Sequence, residues 1–363
     1  MHRPPWRHGP RQTQDGPSTE GAEPVAEDRG SWTKEGAFEV AAGVHRIPLP
    51  LPNDGLRAVN VYAVADGDRV VLIDAGWALD ESREQLARSL DAIGFGLEHI
   101  STFLVTHAHR DHYTQAIAIR RLLGTKVALG LGEKRWLEQL QAPRGTRGWT
   151  NQLRQLERAG ATQLYRTFAE LPSEPPSNNW EDPDTWLTES PVELAERKLT
   201  VVATPGHTRG HIVFRDEAAG LLFAGDHVLP HITPSIGYEG VPSRSPLADY
   251  MTSLALMRSM PDALLLPAHG PASASVHDRV DELLHHHARR LDATLASIDV
   301  GGSTAFEVGS RLRWTRRERQ LDELDAFNQM MAIIETAAHL DVLVERGLIT
   351  SAQRGPVTLY LPR

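Results

Sequence analysis

At 363 residues, with 40% hydrophobic and 23% charged residues, the chain has a globular composition and exceeds the usual size of a single core, so one large domain with a smaller appendage is expected. A formal net charge of -9 argues against a protein whose main work is coating nucleic acid or an anionic membrane. The absence of cysteine excludes disulfides, thiolate nucleophiles and thiolate metal ligands, so any metal site must be built from His, Asp, Glu and water.

Residues 1–36 are rich in Pro, Arg, Gly, Gln and Glu, hold no apolar signal-peptide core, and read as a disordered tail. No later stretch approaches the roughly 18 consecutive apolar residues of a membrane span, which makes the cytoplasm the expected location and a membrane partner unexpected. From Phe38, "FEVAAGVHRIPLP" and "VNVYAVADGDRVVLIDAG" predict short strands, with Asp66-Gly67-Asp68 as a hairpin turn. The run from Leu79 to Ile93 has apolar residues at helical spacing and acids in its first turn, where the helix dipole favours them. "ISTFLVT" from Ile100 predicts a buried strand and Tyr113 to Gly124 an amphipathic helix, which leaves residues 107–112 on the loop between them. Residues 131–160 read as helical, and 165–190, rich in Pro, Ser, Asn, Asp and Trp, as an irregular insertion of the kind that forms lids.

The strand pattern resumes with "KLTVVATPG", "HIVFRD", "GLLFAGD" and, after the helix "PLADYMTSLALMRSM", "ALLLPAHG". From Val276 the chain reads as helices closed by a strand-like "VTLYLP", so the expected division is a catalytic domain over 37–275, with its insertion at about 131–190, and a small, mostly helical domain over 276–363.

The segment "THAHRDH" concentrates His107, His109, Asp111 and His112 within six residues, and in an extended stretch His107 and His109 point to the same face. His207, Asp226 and His269 each follow an apolar run. Seven nitrogen and oxygen donors suffice for two metal sites.

In these residues the chain resembles the metallo-β-lactamase superfamily, whose signature is HxHxDH followed by a distant His, a distant Asp and a final His. The resemblance spans about residues 38 to 275. It implies an α/β fold, the αββα sandwich, with His107, His109 and His207 holding one metal ion, Asp111, His112 and His269 the other, and Asp226 bridging both. Two divalent ions are expected, zinc first, with iron or manganese as alternatives. Such a pair, about 3.5 to 4 Å apart, acidifies a bridging water and stabilises an oxyanion. Asp111 and Asp226 are the catalytic candidates. Asp74, in "LIDAG", matches the superfamily's Asp at a strand end and looks like a residue that orients a metal ligand, a role for which His211 is a weaker candidate. Thr114 and Gln115 stand where relatives often carry Gly. "GDHVLP", "PLADYMTSL", "LLPAHGP" and the helical C-terminus resemble the β-lactamase-like protein 2 branch, whose appended unit is winged-helix-like.

Plainer readings attach to the remaining motifs. His285 to His287 lie in a predicted helix, where consecutive side chains diverge, and read as a solvated face. "RLRWTRRER" reads either as a grip on phosphates or, more simply, as a solvated helix start. Trp136, Trp149, Trp180 and Trp186 line a substrate pocket or pack a lid. The first functional expectation is hydrolysis of a small-molecule thioester or ester, as in hydroxyacylglutathione hydrolase. The second is a metal-dependent endoribonuclease of the β-lactamase-like protein 2 type, with RNA as substrate, and the third a lactonase. The oligomeric state is left open.

Overall fold

The first half of the chain builds a sheet whose strands lie side by side in sequence order: β1 (Phe38–Ala41), β2 (Val44–Pro50), β3 (Ala58–Asp66), β4 (Arg69–Ile73), β5 (Ile100–Val105), β6 (Lys126–Gly130) and β7 (Thr185–Leu187). The Asp66-Gly67-Asp68 turn closes the β3–β4 hairpin, with Asp66 opposite Arg69 and Gly67 at φ 65°. β4 to β7 run parallel, and parallel neighbours need crossovers. These are α1 (Asp80–Asp91), α2 (Arg110–Leu123) and, between β6 and β7, α3 (Lys134–Gln141), α4 (Thr150–Arg158) and α5 (Thr162–Ala169). A second sheet holds β8 (Val192–Glu193), β9 (Lys198–Ala203), β10 (Ile212–Asp216), β11 (Leu221–Gly225) and β12 (Leu264–Pro267), with α6 (Pro246–Ser259) crossing from β11 to its parallel neighbour β12. The chain closes with α7 (Val276–Ala296), α8 (Ala305–Arg311), α9 (Ala326–Glu345) and the hairpin β13 (Ile349–Arg354) and β14 (Val357–Pro362). This computed structural model describes residues 31–52, 55–141, 150–171 and 179–363, and from Trp32 on they form one compact unit.

Side chains alternate across each strand, and here both faces are buried, which is why the runs are apolar without a break. Val59, Val61 and Ala63 of β3 pack outward with Leu86 of α1 and Ile117 of α2, while Tyr62 and Val64 face the other sheet. In β11, Leu221 and Phe223 meet the first sheet, and Leu222 and Ala224 meet α6 and the C-terminal helices. Helix, sheet, sheet and helix therefore stack as four layers around three apolar clusters, the αββα arrangement.

Four sequence expectations are corrected. α2 starts at Arg110 rather than near Tyr113, so Asp111 and His112 sit in its first turn and not on a loop. The expected tail lies outside the described residues only over 1–30: Arg46 donates to the Trp32 carbonyl at 2.6 Å, and Glu35 pairs with Arg88 at 2.9 Å. His287 is buried, with its Nδ1 3.3 Å from His339 Nε2, because the position faces α9; His285 alone of the three is exposed. The basic run does not start a helix: Arg311 ends α8, and Trp314 and Arg319 pair across a tight turn with Arg290 stacked 3.9 Å over the Trp314 ring.

Within the expected lid, α5 is a regular helix packed in the same cluster as the C-terminal helices, β7 joins the first sheet, and the Trp180 ring stacks on Tyr113 at 6.2 Å. Trp149 and residues 172–178 lie outside the described residues. In the C-terminal segment, Ser303 bridges to Tyr360, so the order is helix, bridge, helix, helix, hairpin.

Candidate metal centre

β5 leads into Thr106 and His107, and His109 keeps an extended backbone (φ -88°, ψ 157°) before α2 turns the chain. His107 and His109 therefore project from an extended stretch, and Asp111 and His112 from a helical turn. His207 follows β9, Asp226 follows Gly225 at the end of β11, and His269 follows β12. All seven residues expected as donors come together. His107, His109, His207 and Asp226 form one group and Asp111, His112 and His269 another, the donor atoms of each lying within 4.8 Å of one another. His109 Nδ1 is 2.9 Å from His107 Nε2 and 3.1 Å from His207 Nε2. Asp226 stands between the groups, with Oδ2 3.4 Å from His207 Nε2 and Oδ1 3.4 Å from His269 Nε2. Asp111 Oδ2 is 3.5 Å from His269 Nε2 and 3.6 Å from His112 Nε2.

The nitrogen that each buried imidazole turns away from the cluster is held from behind, and the partner fixes its proton. A carbonyl oxygen can only accept, so His207 Nδ1 carries the proton it gives to Ser235 at 2.8 Å, and His269 Nδ1 the proton it gives to Ala58 at 2.8 Å. His112 Nδ1 lies 2.9 Å from Asp74 Oδ2, and His107 Nδ1 lies 3.0 Å from Thr106 Oγ1, which itself donates to Asp74. In its neutral form each of these imidazoles therefore turns an Nε2 lone pair towards the cluster. His112 Nε2, His269 Nε2 and Asp226 Oδ1 are buried and have no hydrogen-bond partner among the described residues. Unsatisfied buried acceptors are costly, and a cation among them removes the cost, so the donor set fits divalent metal ions.

Burial first, and then neighbouring imidazoles, pull His107 far below the ordinary range, and burial lowers His109 to about 3 and His207 to about 4. Burial acts the same way on His112, but Asp111, Asp74 and Asp226 outweigh it and raise His112 to about 10. Burial would raise Asp111, yet His112 and His269 hold its carboxyl below the usual range. The first group thus resists protons, whereas the second balances its imidazoles with carboxylates. His107, His112, His207 and His269 are buried, while His109 and Asp111 are partly exposed and mark the open side.

Asp74 lies behind the cluster rather than in it, with Oδ2 against His112 Nδ1. His211 also stands behind it, with Nε2 accepting the Asp226 amide at 3.2 Å and Nδ1 2.9 Å from Thr204 Oγ1. Thr114 and Gln115 tie the loop after Asp74 to α2: Thr114 Oγ1 accepts the Ala78 amide at 2.9 Å, and Gln115 donates to the Ala75 carbonyl at 3.1 Å. Sequence reading missed Thr106 and Asn60, whose Nδ2 holds the His269 turn by the carbonyls of Pro267 and Gly270 at 2.9 and 2.8 Å. It also missed Glu133, buried under the loops of His107 and His207. Thr106 could have been found as the hydroxyl adjoining the first His, whereas Glu133 and Asn60 carry no local signal.

The family model of the metallo-beta-lactamase superfamily matches residues 54–269. The probable metallo-hydrolase YqjP of Bacillus subtilis (strain 168) is 26% identical over 332 residues, covering 87% of this chain and 96% of that protein. An atrochrysone carboxyl ACP thioesterase of Aspergillus fumigatus is 26% identical over 270 residues, covering 74% of this chain and 51% of the fungal protein. The crystal structure of a metallo-beta-lactamase family protein from Thermus thermophilus superposes with a TM-score of 0.69 at 28% identity, covering 90% of this chain and 100% of that one. Fold, converging donors and matched span agree: the chain is a hydrolase that belongs to the metallo-β-lactamase superfamily.

Proposed function

We propose that this hydrolase cleaves a small-molecule thioester or ester with two divalent metal ions, zinc foremost. His107, His109 and His207 hold one ion, Asp111, His112 and His269 the other, and Asp226 bridges them. The observation that carries this reading is the convergence of seven donor residues, with His112 Nε2, His269 Nε2 and Asp226 Oδ1 buried and without a hydrogen-bond partner among the described residues. When bound, the ions supply Lewis acidity and a water acidic enough to act as nucleophile at neutral pH. The chain's own residues do the rest. Asp74 and the carbonyls of Ala58 and Ser235 keep the imidazole protons on the far nitrogens, so the inward nitrogens stay available. The partly exposed side at His109 and Asp111 is where substrate enters, flanked by Arg110, whose guanidinium lies 4.1 Å over the Trp77 ring. The thioester preference is supported by the fungal relative named as an acyl-carrier-protein thioesterase.

An RNA substrate has less support. In the winged-helix-like reading α9 would be the groove-reading helix, yet Ile333, Leu340 and Leu343 bury it in the shared core. The test is the initial rate of thiol release from a panel of acyl-coenzyme A and glutathione thioesters by zinc-loaded protein, with RNA alongside. Chelator-sensitive thioester turnover is the expected result, and RNA cleavage with no thioester turnover would overturn the substrate class. Asp226→Ala should lose bound metal and turnover together, and full activity with two ions retained would sink the ligand assignment.

A further inference from the structure

Glu133 ends the turn after β6, is 0% exposed, and pairs with no cation among the described residues. A carboxyl in such a place is expensive unless its oxygens are well used. Its Oε2 accepts the amide of Ala108, the residue between His107 and His109, at 3.3 Å. Its Oε1 accepts the hydroxyl of Thr208, the residue after His207. One buried side chain thus joins two loops that come from different sheets and lie a hundred residues apart in sequence. Both loops carry donors of the first group, and neither bears Asp111, His112 or His269.

The backbone is shaped for this reach. A Cβ on Gly210 would stand 2.1 Å from the Glu133 nitrogen, and one on Gly132 2.6 Å from the Gly210 Cα, so the two segments touch backbone to backbone and only glycine fits. A second buried carboxyl completes the arrangement: Glu239 Oε2 accepts the Arg209 amide at 2.7 Å, and Glu239 lies close enough to Glu133 for the two charges to repel. Thr208 and Arg209, the two residues after His207, are therefore held by these two acids, and His207 itself by Ser235.

We infer that Glu133 is a positioning residue for the His107–His109–His207 ion, stapling the two loops that bear its ligands while leaving the other ion's ligands untouched. This rests on the metal assignment above. Glutamine in its place keeps one acceptor oxygen and offers an amide donor on the other side, so it can accept the Ala108 amide only if the Thr208 hydroxyl turns from donor to acceptor.

The test is stepwise cobalt(II) and zinc(II) binding by the full-length, metal-stripped protein against a competing chelator, with circular dichroism as the fold control. The step belonging to the first group is the one that His109→Ala loses. Glu133→Gln and the near-isosteric Thr208→Val should each weaken that step about 10- to 100-fold, leave the other step unchanged, and show wild-type spectra. Thr208→Ser, which keeps the hydroxyl, should bind as wild type. Equal weakening of both steps, or two unchanged steps in Glu133→Gln and Thr208→Val, would overturn the role of Glu133 while leaving the two-ion site intact. Fewer than two ions bound by the wild type would overturn the ion assignment itself, and this inference with it.

Discussion

Asp74 holds its backbone in the left-handed region, at φ 61°, and is buried. Such a conformation costs about 1–3 kcal/mol for a residue other than glycine and persists only where its surroundings demand it. Here the demand is visible: its carboxylate takes the Thr106 amide at 2.8 Å, the Thr106 hydroxyl at 3.0 Å, and the His112 ring at 2.9 Å. One acid thereby orients a donor in each group. Asp74→Asn tolerates the backbone but has one acceptor oxygen too few, so metal affinity should fall about 10- to 100-fold, measured by chelator competition; unchanged affinity would remove Asp74 from this role. Asp74 was legible as an acid at a strand end. The carbonyls of Ala58 and Ser235 were not, because every residue has a carbonyl and only the tertiary fold selects one. Glu133 and Glu239 give a second residue-scale prediction. Burial raises both carboxyls above the ordinary glutamate range. The folded protein then keeps protons that the unfolded chain has released, so stability is fully present below the ordinary carboxyl range and declines as pH rises through the raised values. Thermal denaturation of metal-free protein should show this decline from mildly acidic to alkaline pH, and Glu239→Gln should flatten it; an equal slope in the variant would count against Glu239 as a source of the decline.

At the scale of elements, the segment between Asp226 and α6 has no regular structure of its own and is held by its carbonyls. Arg279 of α7 donates to Leu229 at 2.6 Å and Ile232 at 2.9 Å, and Arg316 donates to His231 at 2.7 Å. From the other side, Asn151, Gln152 and Gln155 of α4 donate to Glu239, Tyr238 and Gly237 at 2.7, 2.5 and 2.9 Å. Ser235, which orients His207, lies between these two sets of clasps. Gln152 is buried, and truncating it strands a carbonyl, so Gln152→Ala should cost about 1–3 kcal/mol and speed amide exchange over residues 232–240; exchange at wild-type rates there would refute the clasp. Arg316 shows what the basic run does in place of starting a helix. The early start of α2 escaped the sequence because His109, its N-cap, makes no side-chain capping bond, so the usual signal is missing.

For the molecule as a whole, one buried cluster runs across the expected boundary at residue 275. Leu222 and Leu265 of the second sheet, Leu156 and Phe168 of α4 and α5, and Ile333 and Leu343 of α9 belong to one buried cluster. Sequence periodicity marks which face of a helix is apolar, not which distant segment covers it, so the insertion and the C-terminal helices read as separate pieces although they pack together. A chain truncated after Ala274 should therefore aggregate or fail to fold; a soluble, cooperatively melting 31–274 fragment would show that the two parts are independent.

The outer strands of the two sheets are the short ones: β1 has four residues and a register shift, β7 three, β8 two and β12 four. β12 is further covered by an isolated pairing of Leu265 with Ser273. A foreign strand seeking to extend either sheet finds too few open amides and carbonyls to bind, so the sandwich is guarded against edge-to-edge aggregation by its own geometry.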